Sequence, residues 1–185
     1  MVSFIGKLVT LEPLDIEKHA RGFFEVSQDE KIHEYVGNTV PETVEEATAL
    51  LELYQKLFLN WMILSNETRE VIGILRISKP QVENGSLTAG ESQRLSSRYW
   101  RKGHMKEAKK LLYPYVFGQL GVDLLYADAW EDNINSRKSL ESYGYQLSEI
   151  RNEVFSKTGK EERNYIYILT KEDFSEKNRQ TSAMP

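Results

Sequence analysis

The chain has 185 residues, 40% of them hydrophobic and 28% charged, with a formal net charge of −4. That is the size and mix of one globular domain, and the acidic balance argues against non-specific nucleic-acid binding, which depends on neutralising phosphates. Without cysteine there is no disulfide, thiolate metal site or cysteine nucleophile. Apolar runs such as 57–59 and 61–64 are far too short to span a bilayer, and the first residues lack the pattern of a secretory signal; a cytoplasmic protein is expected.

In chain order, residues 7–12 read as a first strand that Pro13 ends. Asp15 can cap a helix carrying Ile16, Ala20, Phe23 and Phe24 on one face. A short second helix is expected at about 30–35. Thr43 with Glu46 makes a capping box for a third, whose buried stripe is Ala47, Leu50, Leu51, Tyr54 and Leu57. Strands 60–65 and 71–78 flank a turn-forming segment and should pair as a hairpin. Residues 80–85 read as a loop, 87–96 as a more polar strand, 104–120 as a long helix and 124–130 as a strand. Helix 135–143 and a hairpin of about 145–155 with 164–170 complete an α/β domain with a mixed sheet and helices on both faces. Residues 1–173 are expected to form that single domain; 174–185 offer little to bury and are expected as a disordered tail.

The informative stretch runs from Arg98 through Tyr99, Trp100, Arg101, Lys102 and Gly103 to His104, Met105 and Lys106. It joins a strand to an amphipathic helix whose apolar face is Ala108, Leu111, Leu112, Tyr115, Val116 and Leu120. The first turn of a helix has unpartnered N–H groups and roughly half a positive charge from its aligned dipoles. Gly103 lets the backbone approach closely, and Arg98, Arg101 and Lys102 add charge, which together suit a pyrophosphate. A capped helix with solvated basic residues would have the same local pattern.

The order strand, Arg-x-x-Arg-x-Gly, helix, strand, Asn-x-x-Ser, helix, Gly-aromatic resembles the GNAT superfamily of acetyl-CoA-dependent N-acetyltransferases, and more narrowly its RimJ/RimL-like branch. The elements that carry the resemblance are Leu95-Ser96 with 100–103 and Glu107-Ala108, then Asn133 to Ser136, then Leu140-Glu141 with Gly144-Tyr145. It spans about 8–173 and implies a mixed, mostly antiparallel central sheet in which two parallel strands, 87–96 and 124–130, splay apart. It also implies acetyl-CoA as acyl donor and an amine as acceptor; no two histidines have a metal-ligand spacing, so no metal is expected. The coenzyme's diphosphate would sit on Arg98, Arg101, Lys102, Gly103, His104, Met105 and Lys106, with its pantetheine arm beside the backbone of Gln93, Arg94 and Leu95. Asn133 would orient the arm and Ser136 would lie near the sulfur, where it could protonate the departing thiolate; as helix cap and first-turn residue the two also have a purely structural role. Arg101 stands where the usual loop has its first glycine, so a negative φ and an outward side chain are expected there. His104 and Met105 replace the branch's aromatic and alanine.

The attacking amine must lose a proton, so a base is needed. Glu91 is the first candidate, from a strand position that would face the acceptor; Glu153 and Glu162 follow, then His33, His104 and His19. The position where many family members carry an acidic tyrosine is Leu140, and Tyr143 is assigned to packing. The acceptor is expected between 33–37 and the last hairpin, with Trp61, Tyr165 and Tyr167 as aromatics to test. A protein or peptide N-terminal amine, a small amine (polyamine, amino acid or aminoglycoside-type antibiotic) and a non-catalytic acyl-CoA-binding module are the competing roles, for a monomer or homodimer.

Overall fold

Two sets of apolar residues divide the central strands between two faces. In the computed structural model, which describes residues 1–37 and 40–182, both faces are covered by helices. Strands β1 (Phe4–Ile5), β2 (Val9–Pro13), β3 (Phe58–Ser65), β4 (Val71–Ser78), β5 (Gln81–Glu83), β6 (Ser86–Leu95), β7 (Leu124–Trp130), β8 (Gln146–Phe155) and β9 (Lys160–Thr170) form one sheet. Its order is β1-β2-β3-β4-β6-β7-β9-β8, with β5 hydrogen-bonded to β6 off that path. All pairings are antiparallel except β6 with β7.

Helices α1 (Ile16–Ser27) and α2 (Val44–Leu57) cover one face, burying Phe23, Leu51 and Tyr54 against Met62 and Ile74. Asp15 and Thr43 cap them by accepting the N–H of Lys18 and Glu46. Helix α3 (His104–Gly118) covers the other, placing Leu112, Tyr113 and Val116 on Trp61, Ile63, Leu75 and Leu125. Helix α4 (Ile134–Tyr143) adds Leu140 to that second core.

The differences from expectation have local causes. The segment at 30–35 is a 3-10 turn, Glu30–His33. The loop at 80–85 contains β5, because Asn84 and Gly85 take φ of 51° and 84° and make the two-residue left-handed turn that a hairpin prefers. The chain beyond Phe174 continues as helix α5 (Lys171–Ser182) instead of leaving the domain as a tail. Its start is capped by Thr170, which accepts the N–H of Asp173 at 3.1 Å, and Phe174 stacks on Phe117 with ring centres 4.9 Å apart.

Candidate active site

Strands β6 and β7 part company at one point. They pair from Thr88 opposite Leu124 to Gly90 opposite Tyr126, and beyond it each runs on without the other. Gly90 lets the Tyr126 ring lie over the strand there: a Cβ would meet the ring at 2.9 Å and displace it. Backbone direction alternates along β6. The Leu87 carbonyl turns to β7, accepting the N–H of Asp123 at 2.7 Å, whereas the Gly90 N–H turns the other way to Ser78. The Arg94 carbonyl likewise lies against β4, where a Cβ on Gly73 would meet it at 2.3 Å.

Odd-numbered residues therefore face the fork. Gln93 and Leu95 present their backbone to it, but Arg94 does not, which corrects its expected place beside the pantetheine arm. The Leu95 carbonyl is already taken by the Trp100 indole N–H at 2.8 Å, leaving its N–H for a ligand. Buried backbone must find partners, so an extended amide-bearing chain laid between the strands fits this gap.

At the open end of the fork stands the start of α3. Gly103 is its N-cap, with φ +85° and no side-chain cap, so the first-turn N–H groups have no ligand from a capping side chain. Arg98, Arg101, Lys102 and Lys106 are exposed around it. Arg101 adopts φ +59°, not the negative value expected. Its side chain is exposed, so the left-handed backbone is retained without a clash, at about 1–2 kcal/mol relative to glycine. His104 packs edge-on against Tyr99 at 4.9 Å between centres, and Met105 packs on the α3-side core, so neither extends into the loop's mouth. Glu107 anchors this turn to the N-terminal strands by accepting the N–H of Lys7, Leu8 and Val9 at 2.9, 2.6 and 2.9 Å. Burial opposes its charge, but those three donors hold its carboxyl below the ordinary range.

Across the fork, the Asn133 side chain caps α4 by accepting the Ser136 N–H at 3.1 Å. Both residues lie just past the end of β7, and Arg101 reaches Asn135 at 3.5 Å, so the loop and the start of α4 flank the same opening.

Glu91 does not lie on an open face. Its side chain points to the α3 side, where only 1% of it is exposed, and Lys109 pairs with it at 2.9 Å. Tyr113 and Tyr145 also donate to it, the latter at 2.7 Å. Burial first, and the Glu91 charge second, push both phenols well above their ordinary values, so they remain proton donors. This carboxylate is a buried structural anion. Trp61, Tyr165 and Tyr167 are on the same side: Trp61 is fully buried and donates to the Val2 carbonyl, and the tyrosine hydroxyls meet Glu131 and Glu141. His19 is likewise structural, with Nδ1 accepting the Asp15 N–H and Nε2 on Glu12.

The opposite side of the fork holds another pair of acids. Asp128 on β7 and Glu153 on β8 both accept from the one Nδ2 of Asn164, at 3.1 and 3.0 Å. Asp128 is exposed beyond the point where the strands part. Sequence reading ranked Glu153 second and missed Asp128, although alternation along 124–130 turns Tyr126 and Asp128 out while Leu125, Ala127 and Ala129 go in. Glu162, opposite Glu153, is occupied by the Thr158 hydroxyl at 2.7 Å.

The expected acceptor lip is in contact with the last hairpin. Lys157 donates to the His33 carbonyl at 2.8 Å, and a Cβ on Gly37 would collide with the Ser156 hydroxyl. His33 itself donates from Nε2 to the Ser27 carbonyl at 2.7 Å. Asp29 ties this lip to the loop before α3, accepting the Ser97 N–H at 2.6 Å and the Ser96 hydroxyl at 3.2 Å.

A sequence profile of the acetyltransferase (GNAT) domain matches residues 9–146. The chain is 25% identical over 180 residues to the uncharacterized N-acetyltransferase p20 of Bacillus licheniformis, covering 95% of this chain and 99% of that one. A GCN5-related N-acetyltransferase from Brucella melitensis has a similar crystal structure, with a TM-score of 0.83 at 22% identity over 100% of this chain and 86% of that one. The ribosomal-protein-S5-alanine acetyltransferase of Vibrio fischeri superposes with a TM-score of 0.78 at 17% identity, over 94% and 99% of the two chains; both likenesses show the fold. With a parting parallel strand pair, an uncapped helix start at its mouth and the matching domain profile, the chain belongs to the GNAT family of acetyltransferases, whose acyl donor is acetyl-CoA.

Proposed function

We propose that this enzyme acetylates a primary amine in a ternary complex, and that the Asp128–Glu153 pair draws in the amine and takes its proton. The observation that carries the proposal is the shared Asn164 amide, which holds two carboxylates together on the side of the fork away from α3. Two carboxylates gathered at one amide favour a cation beside them, and a carboxylate so placed can accept the ammonium's proton.

The remaining roles follow from placement. The first turn of α3 with Arg98, Arg101 and Lys102 would hold the diphosphate, and Gln93 with the Leu95 N–H would hold the amide-bearing arm. Acetyl-CoA supplies the activated acyl group. Ser136, in the first turn of α4, would hold a proton for the leaving sulfur, and Asn133 keeps that turn in place.

A small amine is the first acceptor proposed, supported by the buried arginines described below. A protein or peptide N-terminal amine, as in RimJ/RimL-like enzymes, is the alternative; its support is the resemblance of motif and the fold shared with the Vibrio fischeri enzyme, whose name gives it a ribosomal protein as substrate. Asp128→Asn should lower turnover by about a hundredfold with coenzyme affinity kept, and Asp128→Asn with Glu153→Gln should abolish it. Near-normal turnover in the double variant would remove the pair from the mechanism.

A further inference from the structure

On the face of the sheet away from α3, three neighbouring side chains have hydrogen-bonding atoms without partners: Arg76 Nε, Ser92 Oγ and Arg94 Nη1. Arg76 and Ser92 are directly opposite across β4 and β6, and Arg94 is the next residue on the same face of β6. The two arginines are only 9% and 6% exposed. Among the described residues neither forms an ion pair. Arg76 lies over the Tyr54 and Phe58 rings at 4.1 and 5.0 Å, which fixes its plane, and Tyr54 is also its side-chain hydrogen-bond partner, but its Nε is left without one.

Buried guanidinium groups are normally paired, and buried polar atoms normally bonded. Here burial works against the charge of Arg76 and Tyr54 favours it, while the nearby Arg94 adds repulsion. Further positive charge surrounds them. Lys157 is held at the His33 carbonyl, and Lys56 and Lys79 line a cleft of about 240 Å³ with Ser78, Thr88 and Tyr126, two residues along β4 from Arg76. Glu83 is at the cleft's rim, Asp29 is already bonded to Ser96 and Ser97, and Asp128 across the fork is bonded to Asn164; none of them pairs with either arginine among the described residues. An anion from outside the chain would supply the partner the arginines lack.

The fork thus has a basic wall on β4 and β6 and an acidic wall on β7 and β8, where Asp128 and Glu153 converge. We infer that the acceptor is a small amine that also carries an oxyanion, a carboxylate or a phosphate, held by Arg76, Ser92 and Arg94 while its ammonium lies against Asp128 and Glu153. The inference rests on that face being the acceptor side. A guanidinium offers two parallel N–H groups to a carboxylate or phosphate, and such bonds are the strong, directional ones. A zwitterion satisfies both walls at once; a polyamine would leave the arginines unpaired.

Matched acceptors test this on the whole enzyme with acetyl-CoA: L-leucine against isopentylamine, O-phosphoethanolamine against ethanolamine, and dialanine amide as a peptide without an acid. The acid-bearing member of at least one pair should have a kcat/KM about tenfold higher or more, and the pair that shows it separates carboxylate from phosphate. In Arg94→Met and Arg76→Met that ratio should collapse towards one. Binding gives a second readout that needs neither turnover nor a variant: with coenzyme A present, N-acetyl-L-leucine or N-acetyl-O-phosphoethanolamine should bind about tenfold tighter than its uncharged counterpart. Equal affinities within both product pairs, or dialanine amide acetylated as well as the acid-bearing amines, would overturn the inference. Loss of turnover for every amine with product selectivity intact would instead strike at the proposed base and leave the anion site standing.

Discussion

The Lys109 ammonium lies 2.9 Å from the Glu91 carboxylate, and their side chains are 0% and 1% exposed. The contact is an ion pair more than a directed hydrogen bond, since Lys109 Nζ has no partner in hydrogen-bonding geometry. Three tyrosine rings, Tyr113, Tyr143 and Tyr145, face the ammonium at 5.9, 5.1 and 5.6 Å. Glu91 sits one residue past the parting of β6 and β7, so this buried pair holds α3 and Tyr145 to the strand at the root of the fork.

Such a pair is costly to break from one side. Lys109→Met should destabilise the fold by about 3–5 kcal/mol, because Glu91 would remain buried without its counter-charge. Adding Glu91→Gln should recover about 2 kcal/mol or more, since the amide oxygen can still accept from Tyr113 and Tyr145. Urea unfolding of the two variants reads this directly. If the single variant loses less than about 1 kcal/mol, the pair contributes nothing to holding the root together. Glu91→Gln alone should keep most of its acetyl transfer at temperatures where it is folded, in contrast to Asp128→Asn.

The loop before α3 contains two left-handed residues of different kinds. At Gly103 a valine would be strained by about 1–3 kcal/mol at φ +85° and would turn the first-turn N–H groups from their present direction. Open space surrounds the position, with Leu8 at 3.5 Å as the nearest atom to a Cβ, so the domain should still unfold cooperatively. Coenzyme affinity should fall about tenfold or more in Gly103→Val, as titration calorimetry would show. Arg101→Gly should do the reverse to stability, gaining up to about 1 kcal/mol by removing a Cβ from the left-handed region, while weakening coenzyme binding through the lost charge. An unchanged coenzyme Kd in Gly103→Val would detach the helix start from the site.

The elements proposed to hold the coenzyme were legible as structure because each carries a local signal. The apolar stripe of α3, Gly103 before it, and the Asn133 cap of α4 are written in short stretches of sequence. Register in β6 was not legible. Its residues, Ser86 to Leu95, alternate without a clear apolar face because one side borders the fork and the other holds Ser92 and Arg94. A slip of one residue reverses every side chain, and Glu91 was assigned to the wrong face for that reason. Asp128 was overlooked for a related one: its strand reads as packing, and only the third-dimensional meeting with Glu153 at Asn164 suggests the role proposed for it. The Asn84-Gly85 turn, by contrast, was a readable signal that went unused.

Acid should weaken the fold in two stages. His19 and His33 are both held below the ordinary histidine value, in each case by burial first, against the opposing pull of Glu12 on His19 and of the Ser27 carbonyl on His33. Below about pH 6.5 the unfolded chain therefore binds protons that the folded chain refuses, and stability falls as pH is lowered from about 7. Asp29 and Glu107 act lower. Burial raises each, but the hydrogen bonds from Ser97 and Ser96, and from Val9, Leu8 and Lys7, outweigh it and keep both below the ordinary carboxylate value. Their contribution is complete above about pH 4.5 and is lost as pH falls through the folded values. Urea unfolding across this range should show both declines. His33→Gln, which can still donate to the Ser27 carbonyl, should flatten the upper stage, and Asp29→Asn the lower. Stability that stays level between about pH 7 and 5 would mean that the two imidazoles accept protons as freely folded as unfolded, which their buried positions at 1% and 6% exposure forbid.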